Sequence, residues 1–443
     1  MALARESEGR PDSAAGTRGG RRTMWASLAL LAAVAVLSWA GCGAPDGSPD
    51  GSPDAAPAPV PDAGRHQPHL FALIGNDGEH LAQERRAGVG AKVLALSWRD
   101  FYLSEGEVNT RYVEQKRREL QDLREHGFRV IASLNFHDVP PWVHRNYEDT
   151  YYVNQFGERW TGTNVSGGQL RDNGDANLVF NERLRGLVGS YTKDVFEEFG
   201  INFWAVRLGG GPAGEVAYPP ARVGGGRNLY WAYDENAQRS AAEAGVAGWR
   251  PGDTSPDGQA ERFLNWYLDS LVDFQSWQVN MVRGAGYSGR VMVLYPGWGI
   301  RPGQIGEATA INLSGLTAAE VNGEIQRGHD FARLVGAIED DDVLVTTTWL
   351  DADASRDDGK DQRYWSPVKY LSTLTESSPA RPGIFGENKG AGSLEDMLLA
   401  VYQMRRYDLA GMAWYDERQL FSDRYATLTE YGHVIETYQE PRK

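Results

Sequence analysis

Residues 202–220 read NFWAVRLGGGPAGEVAYPP, a short apolar run that ends in a turn of glycines and prolines. The first seven residues are typical of a buried strand. Glu215 lies in the turn, where tight glycines allow a ligand to approach the backbone closely. The stretch therefore predicts a strand followed by a loop of specific geometry that carries a candidate functional acid.

Seven other runs of this kind alternate along the chain with charged stretches of helical period, including residues 112–126, 261–282 and 394–407. This alternation predicts an α/β fold, a (β/α)8 TIM barrel whose active site is built from loops at the carboxyl ends of the strands. A doubly wound sheet is the alternative. The barrel is favoured because polar and aromatic residues follow most of the strands rather than one switch point. The predicted strands are residues 69–74, 92–97, 129–134, 202–208, 290–295, 343–349, 383–387 and 411–415.

Composition excludes several classes of function. The 443 residues carry 45 basic and 60 acidic side chains, a net charge of −15, and no stretch forms a basic face, so nucleic acid is not an expected partner. One cysteine, Cys42, excludes an internal disulfide, a cysteine-based zinc site and an iron–sulfur cluster. The eight histidines form no HExxH motif, so we expect neither a catalytic metal nor a cofactor.

The amino-terminal region has the features of an export signal. A basic start is followed by an uncharged run at residues 24–41, and residues 39–42 (WAGC) resemble a bacterial lipobox, in which the cysteine is lipidated. The alternative is an ordinary secretory peptide with an incidental Cys42. We expect an exported lipoprotein of the bacterial outer membrane or cell surface, with a periplasmic or secreted protein as the alternative.

The predicted signal peptide, residues 1–41, precedes a segment that repeats proline, aspartate, glycine and serine. Residues 42–68 have no apolar periodicity, which is typical of a flexible tether. Residues 69–443 remain for a single catalytic barrel with elaborated loops.

Two acids follow predicted strands on opposite sides of such a barrel. Glu215 follows the fourth strand, and Glu387 ends the seventh. Paired carboxylates serve glycoside hydrolysis, in which one donates a proton to the leaving oxygen and the other activates water or attacks the sugar. The alternative is that each acid is half of an ion pair, for which Arg207 and Lys389 are candidate partners.

Aromatic and polar residues meet at several strand ends. Sugar sites combine flat apolar surfaces with planar polar groups for the hydroxyls, although core packing is the usual explanation for any single aromatic. The candidate substrate-binding residues are Trp98, Asp100, His137, Asp138, Trp142, Tyr295, Trp298, Trp414 and Asp416.

The loop at residues 208–219 resembles the Gly-Pro-Ala-Gly-Glu-Leu-Arg-Tyr-Pro signature of β-amylases, glycoside hydrolase family 14. The resemblance implies that Glu215 is the general acid, with Tyr218 in the same motif. Residues 386–388 (GEN) are similar to the family's Cys-Glu-Asn, which implies that Glu387 is the general base and adds Asn388 to the site. Residues 135–137 (NFH) look like the family's Ser-Phe-His, in which the histidine is a sugar ligand.

The sequence also departs from that family. Residues 138–144 (DVPPWVH) replace its glycine-rich lid, and residues 140–142 look more like family 42 β-galactosidases. Those retaining enzymes place asparagine directly before the fourth-strand acid, where this chain has Gly214.

Together these features predict a monomeric glycoside hydrolase that cleaves an α-glucan or related oligo- or polysaccharide by an inverting mechanism. A retaining β-galactosidase-like hydrolase and a non-catalytic surface glycan-binding lipoprotein are the alternatives.

Overall fold

The computed structural model describes residues 69–75, 78–162, 165–166, 169–170, 174–220, 228–315, 320–390, 392–422 and 424–439. The predicted signal peptide, the tether and Cys42 lie outside these residues.

Eight parallel strands close into a barrel in which each strand pairs with its neighbours in the chain, and the last pairs with the first. The predicted TIM barrel is confirmed, and the doubly wound sheet is wrong because the sheet has no open edge. The strands are β1 (Leu70–Ile74), β2 (Ala91–Ser97), β3 (Arg129–Asn135), β4 (Ala205–Leu208), β5 (Arg290–Tyr295), β6 (Val343–Thr347), β7 (Gly383–Glu387) and β8 (Gly411–Tyr415).

Helices surround the barrel, and side chains fix where several of them begin. Asn181 accepts the Leu184 N–H at the start of the helix Glu182–Phe199, and Ser393 forms a capping box with Asp396 at the start of the helix Leu394–Arg406. No helix in the described ranges is both long and apolar enough to span a membrane. The helices are α1 (Leu81–Arg86), α2 (Trp98–Phe101), α3 (Thr110–Glu125), α4 (Pro141–Asn146), α5 (Glu182–Phe199), α6 (Glu235–Glu243), α7 (Gln259–Gly284), α8 (Gln304–Ala310), α9 (Glu320–Arg327), α10 (Phe331–Gly336), α11 (Pro367–Ser377), α12 (Leu394–Arg406) and α13 (Leu428–Gln439).

Short elements complete the loops. Three 3₁₀ turns span Pro212–Gly214, Gln362–Tyr364 and Glu417–Phe421. Two small antiparallel hairpins pair Tyr102–Ser104 with Glu107–Val108, and Val165–Ser166 with Gln169–Leu170.

The apolar core has two layers, because alternate strand residues face opposite sides of a sheet. One layer fills the barrel, and the other packs between the strands and the helices. Ala205 of β4 and Phe385 of β7 belong to the inner layer, so Arg207 and Glu387, two residues further along, also face the interior. The inner layer comprises Leu70, Ala72, Ala91, Val93, Ile131, Ala205, Met292, Leu344, Phe385 and Ala413.

A buried ionic cluster joins the first and last parts of the barrel. The Lys92 Nζ of β2 lies 2.7 Å from Glu84 Oε2 of α1 and 3.1 Å from Glu417 Oε1, which follows β8. The side chains are at most 1% exposed. Lys92 therefore supplies a positive charge between two carboxylates that are shielded from water. Without it, the two negative charges would repel each other.

Candidate active site

Arg207 and Glu387 meet at the carboxyl end of the barrel. Because both face the interior, the Arg207 guanidinium reaches across from β4 and donates from Nη2 to Glu387 Oε2 at 2.9 Å. The side chains are 14% and 12% exposed, so the pair lies at the mouth of the barrel and not in its sealed centre. The ion pair that the sequence offered as an alternative for Glu387 is therefore present, with Arg207 as the partner.

Glu215 is positioned by a tight loop after β4. Ala213 has φ of 59° and Gly214 has φ of 79°, both in the left-handed region. A Cβ at Gly211 would lie only 2.0 Å from the Glu215 carbonyl oxygen, so this turn requires glycine there. Val216 donates its N–H to the Leu294 carbonyl of β5 at 2.9 Å, which ties the loop to the neighbouring strand.

The Glu215 carboxylate has two side-chain partners. Arg327 of α9 donates from Nη2 to Glu215 Oε2 at 3.1 Å, and the Thr348 hydroxyl donates to Oε1 at 3.2 Å. Neither partner was singled out from the sequence, because α9 and the loop after β6 are far from residue 215 in the chain. Like Glu387, Glu215 is therefore paired with a guanidinium.

The two acids converge on the same mouth. The loop after β6 contacts both of their segments, since the Thr348 hydroxyl donates to the Glu215 side chain and the Leu350 N–H donates to the Glu387 carbonyl at 2.9 Å. Residues 348 and 350 are separated by at most about 7 Å of extended chain. The negative charge of Glu215 also contributes to the pKa of Glu387, which places the carboxylates within electrostatic reach.

Burial raises the pKa of the Glu387 carboxyl, because the ionised form is poorly solvated. Arg207 opposes this effect and lowers the pKa, whereas Glu215 adds to it, and the net direction is upward. Glu387 therefore takes up a proton more readily than an ordinary glutamate.

The side chains of Asn388 and Asp416 form hydrogen bonds with backbone groups at the site. Asn388 bridges β7 and β8 by accepting the Tyr415 N–H at 2.6 Å and donating to the Tyr415 carbonyl at 2.9 Å, and it also donates to the Gly390 carbonyl. Asp416 accepts the Gln419 N–H that begins the last 3₁₀ turn. Both side chains therefore hold the backbone at the carboxyl end of the barrel, and their contact with a sugar stays a prediction.

Several predicted sugar-contacting aromatics are instead part of the core. Trp98, Tyr295 and Trp414 continue the outward-facing positions of their strands, one residue out of phase with the inner layer, and pack against the helices. The Tyr218 ring stacks on Tyr267 at 3.9 Å, and its hydroxyl donates to the Tyr267 carbonyl. The expectation of substrate contact is therefore corrected for the side chains that are at most 4% exposed, namely Trp98, Trp142, Tyr218, Tyr295 and Trp414.

Other predicted residues remain accessible. Asp100, His137, Asp138 and Trp298 are partly exposed. His137 lies beside the β4 loop, where a Cβ at Gly214 would be 3.3 Å from its Nδ1. These four side chains are still available for a ligand.

The loop that carries Trp298 is held by an acid on α9. Glu324 Oε2 accepts the Gly299 N–H at 2.8 Å and lies 2.7 Å from His329 Nδ1. Burial alone would raise the pKa of Glu324, but His329 and the N–H groups of Gly299 and Trp298 outweigh burial and lower it. Since Arg327 is one turn along from Glu324, α9 fixes both the Trp298 loop and Glu215.

One acidic cluster in the described part of the chain has the composition of a cation site. Asp340, Asp341 and Asp342 lie together before β6, at the end of the barrel opposite Glu387, and Asp340 is paired with Arg283 at 2.7 Å. The cluster is separate from the two catalytic candidates.

No protein-family model matches the chain, and no curated protein matches it in sequence. The fold is similar to that of the catalytic domain of β-amylase from Paenibacillus polymyxa, with a TM-score of 0.60 and 15% identity over 84% of this chain and 99% of that one. It is also similar to β-galactosidases from Bacillus circulans sp. alkalophilus (TM-score 0.54, 10% identity) and Marinomonas ef1 (TM-score 0.51, 11% identity). Both of these matches cover 84% of this chain, and they span 56% and 59% of the respective β-galactosidases. At these identities the likeness concerns the barrel fold, and it agrees with the two families that the sequence resembles.

Proposed function

We propose that the chain is a glycoside hydrolase that uses Glu215 and Glu387 as its two catalytic carboxylates. The observation that carries the proposal is the convergence of these acids from β4 and β7 on one barrel mouth, close enough for one charge to affect the other. Enzymes that cleave glycosidic bonds typically use two carboxyl groups, one to protonate the leaving oxygen and one to activate water or attack the sugar. Proteins named β-amylase and β-galactosidase share the fold, which agrees with this chemistry.

In the proposed mechanism, Glu215 is the general acid and Glu387 the general base, as the resemblance to β-amylases implies. Glu387 would remove a proton from a water molecule while that water attacks the anomeric carbon, and Glu215 would protonate the leaving oxygen, so the configuration is inverted. A protonated Glu215 no longer attracts a guanidinium strongly. In this role Arg327 keeps at most a neutral hydrogen bond to the protonated carboxyl, and its other N–H groups can donate to a substrate oxygen.

The proposed substrate is an α-glucan or a related oligosaccharide. The β-amylase-like loop at residues 208–219 supports this choice, and the accessible His137, Asp138 and Trp298 provide polar and flat apolar groups for sugar rings. A retaining, β-galactosidase-like reaction is the second candidate, favoured by the Pro-Pro-Trp at residues 140–142 and by the fold. In that reaction Glu387 would attack the sugar and Glu215 would act as acid and then base.

We also propose that the enzyme is exported and held at a bacterial membrane through a lipid on Cys42. The uncharged run at residues 24–41 and the single cysteine that follows it support this placement.

A polysaccharide screen with product analysis tests the activity. Purified protein would be incubated with soluble starch, maltooligosaccharides and β-galactosides, and the anomer of the first product would be read by NMR. The β-anomer from an α-glucan indicates inversion, whereas retention favours the second candidate.

Variants then test the two acids. Glu215→Gln and Glu387→Gln should each reduce turnover by about 10²–10⁴-fold. Glu198→Gln is the matched control, since Glu198 also pairs with an arginine, Arg117, but lies on the outer helices. If the wild type binds sugars without hydrolysing any, and Glu215→Gln leaves binding unchanged, the chain is a glycan-binding protein.

A further inference from the structure

Asp175 lies in a segment that is firmly attached beside the site. The segment precedes α5, and its Ala176 forms an antiparallel bridge with Tyr151. Asn177 donates its N–H to the Thr150 carbonyl at 2.8 Å, and the Gly174 carbonyl lies 2.9 Å from His144 Nε2. Contacts on both sides of residue 175 therefore fix its backbone.

The Asp175 carboxylate is oriented by a tryptophan. The Trp160 indole N–H donates to Asp175 Oδ2 at 2.6 Å, and the Trp160 ring packs edge-on against Trp231 at 5.6 Å. Trp160 is buried, whereas Asp175 is partly exposed. Since an ionised carboxylate can accept about four hydrogen bonds, this arrangement leaves Asp175 able to accept from a ligand.

The neighbours of Asp175 are residues of the candidate site. Burial raises the pKa of the Asp175 carboxyl, the Trp160 hydrogen bond and His137 lower it, and Asp138 raises it, with a net upward direction. The geometry agrees, because the Gly174 carbonyl lies 2.9 Å from Nε2 of His144 on α4, the helix that begins three residues after Asp138. His137 in turn lies against Gly214, the residue before Glu215.

We propose that Asp175 is a substrate-binding residue, which accepts hydrogen bonds from sugar hydroxyls together with His137 and Asp138 on the β3 side of the barrel mouth. The inference rests on the proposed carbohydrate substrate and adds a further carboxylate to the site, besides Glu215, Glu387 and Asp138. Its orientation by a buried indole is the kind of support that a binding group needs, because a preoriented acceptor loses little side-chain freedom when the ligand binds.

Asp175→Asn tests the proposal, because the amide keeps the size of the side chain and an oxygen for Trp160 but loses the charge. Asp194→Asn is the matched control, since Asp194 Oδ2 also accepts a 2.6 Å hydrogen bond from an aromatic side chain, Tyr102, but lies on α5 outside the barrel. Soluble starch, maltooligosaccharides and a β-galactoside are the probes. Turnover, calorimetric binding and thermal unfolding would be measured for the full chain.

We expect Asp175→Asn to raise KM, or to weaken sugar binding, about tenfold or more, with a smaller change in kcat and an unchanged melting temperature. Asp194→Asn should match the wild type. If the wild type hydrolyses a probe and Asp175→Asn does so with unchanged KM, the role of Asp175 is overturned and the hydrolase proposal stands. If the wild type only binds a sugar and Asp175→Asn weakens that binding, the role stands and hydrolysis is overturned. Binding of none of the probes overturns both.

Discussion

Arg207 Nη2 of β4 lies 2.9 Å from Glu387 Oε2 of β7, so the strand that leads to one candidate catalytic acid supplies the counter-charge for the other. Both side chains follow inner-layer residues by two positions, and the contact is therefore a consequence of strand alternation. The pair opposes the effect of burial on Glu387 and favours its ionised form, which is the form that a general base or a nucleophile needs.

Replacing Arg207 with glutamine should move the pH dependence of the reaction. Arg207 lowers the pKa of Glu387, so its loss should raise that pKa further above the ordinary value. In the proposed mechanism Glu387 acts in its ionised form, so activity should be lost as pH falls through its pKa. The acidic limb of the kcat/KM profile should therefore shift to higher pH.

Arg207→Lys retains the charge and is the control, for which we expect a smaller shift. A carboxyl titration of Glu387 by NMR gives the same measurement without a substrate. If Arg207→Gln leaves both the acidic limb of the pH profile and the NMR titration of Glu387 unchanged, the ion pair does not control the pKa of Glu387.

The hydroxyl of Thr348 should contribute to the function of Glu215. Thr348 donates to Glu215 Oε1 at 3.2 Å, and Thr348→Val removes this donor at nearly constant volume. We expect kcat to fall by about tenfold, as the loss of one hydrogen bond of about 1–1.5 kcal/mol implies. Thr348→Ser keeps the hydroxyl and should retain most of the activity, and equal losses in both variants would point to packing instead.

The barrel and the two acids were predictable from the sequence because strand periodicity and the Gly-rich loop at residues 208–215 are local signals. The same alternation, counted from the inner layer, would have assigned Trp98, Tyr295 and Trp414 to the outer face. The partners Arg327 and Thr348 could not be found in this way. Each lies more than a hundred residues from Glu215, and neither belongs to a motif that indicates such contact.

The buried cluster around Lys92 should be important for stability. Lys92→Met removes the cation that lies between the Glu84 and Glu417 carboxylates in a site closed to water. Breaking a buried ion pair in this way costs about 3–5 kcal/mol of unfolding free energy. Denaturant unfolding would measure the loss. Lys116→Met is the comparison, since Lys116 pairs with Glu119 on the partly exposed face of α3, and we expect a loss of less than about 1 kcal/mol.

Asp234 should make stability depend on pH. It accepts the Ala237 N–H at the start of α6 and a bond from Asn177 Nδ2 at 2.8 Å, and burial raises the pKa of its carboxyl to about 6. The folded chain then holds this proton at pH values where the unfolded chain has released it. The contribution of Asp234 to stability is therefore full below about pH 4 and is lost as pH rises towards and beyond 6.

Comparison with Asp234→Asn isolates this effect, because the amide keeps an oxygen for the Ala237 N–H and does not titrate. The unfolding free energy of the wild type, relative to that of the variant, should fall by up to about 3 kcal/mol between pH 4 and pH 7. Any constant cost of the amide, such as an altered contact with Asn177, shifts the whole curve and leaves this difference in slope unchanged. Denaturant titrations at several pH values provide the measurement, and parallel curves for the two proteins would contradict the raised pKa, since they would mean that Asp234 ionises alike in the folded and unfolded chains.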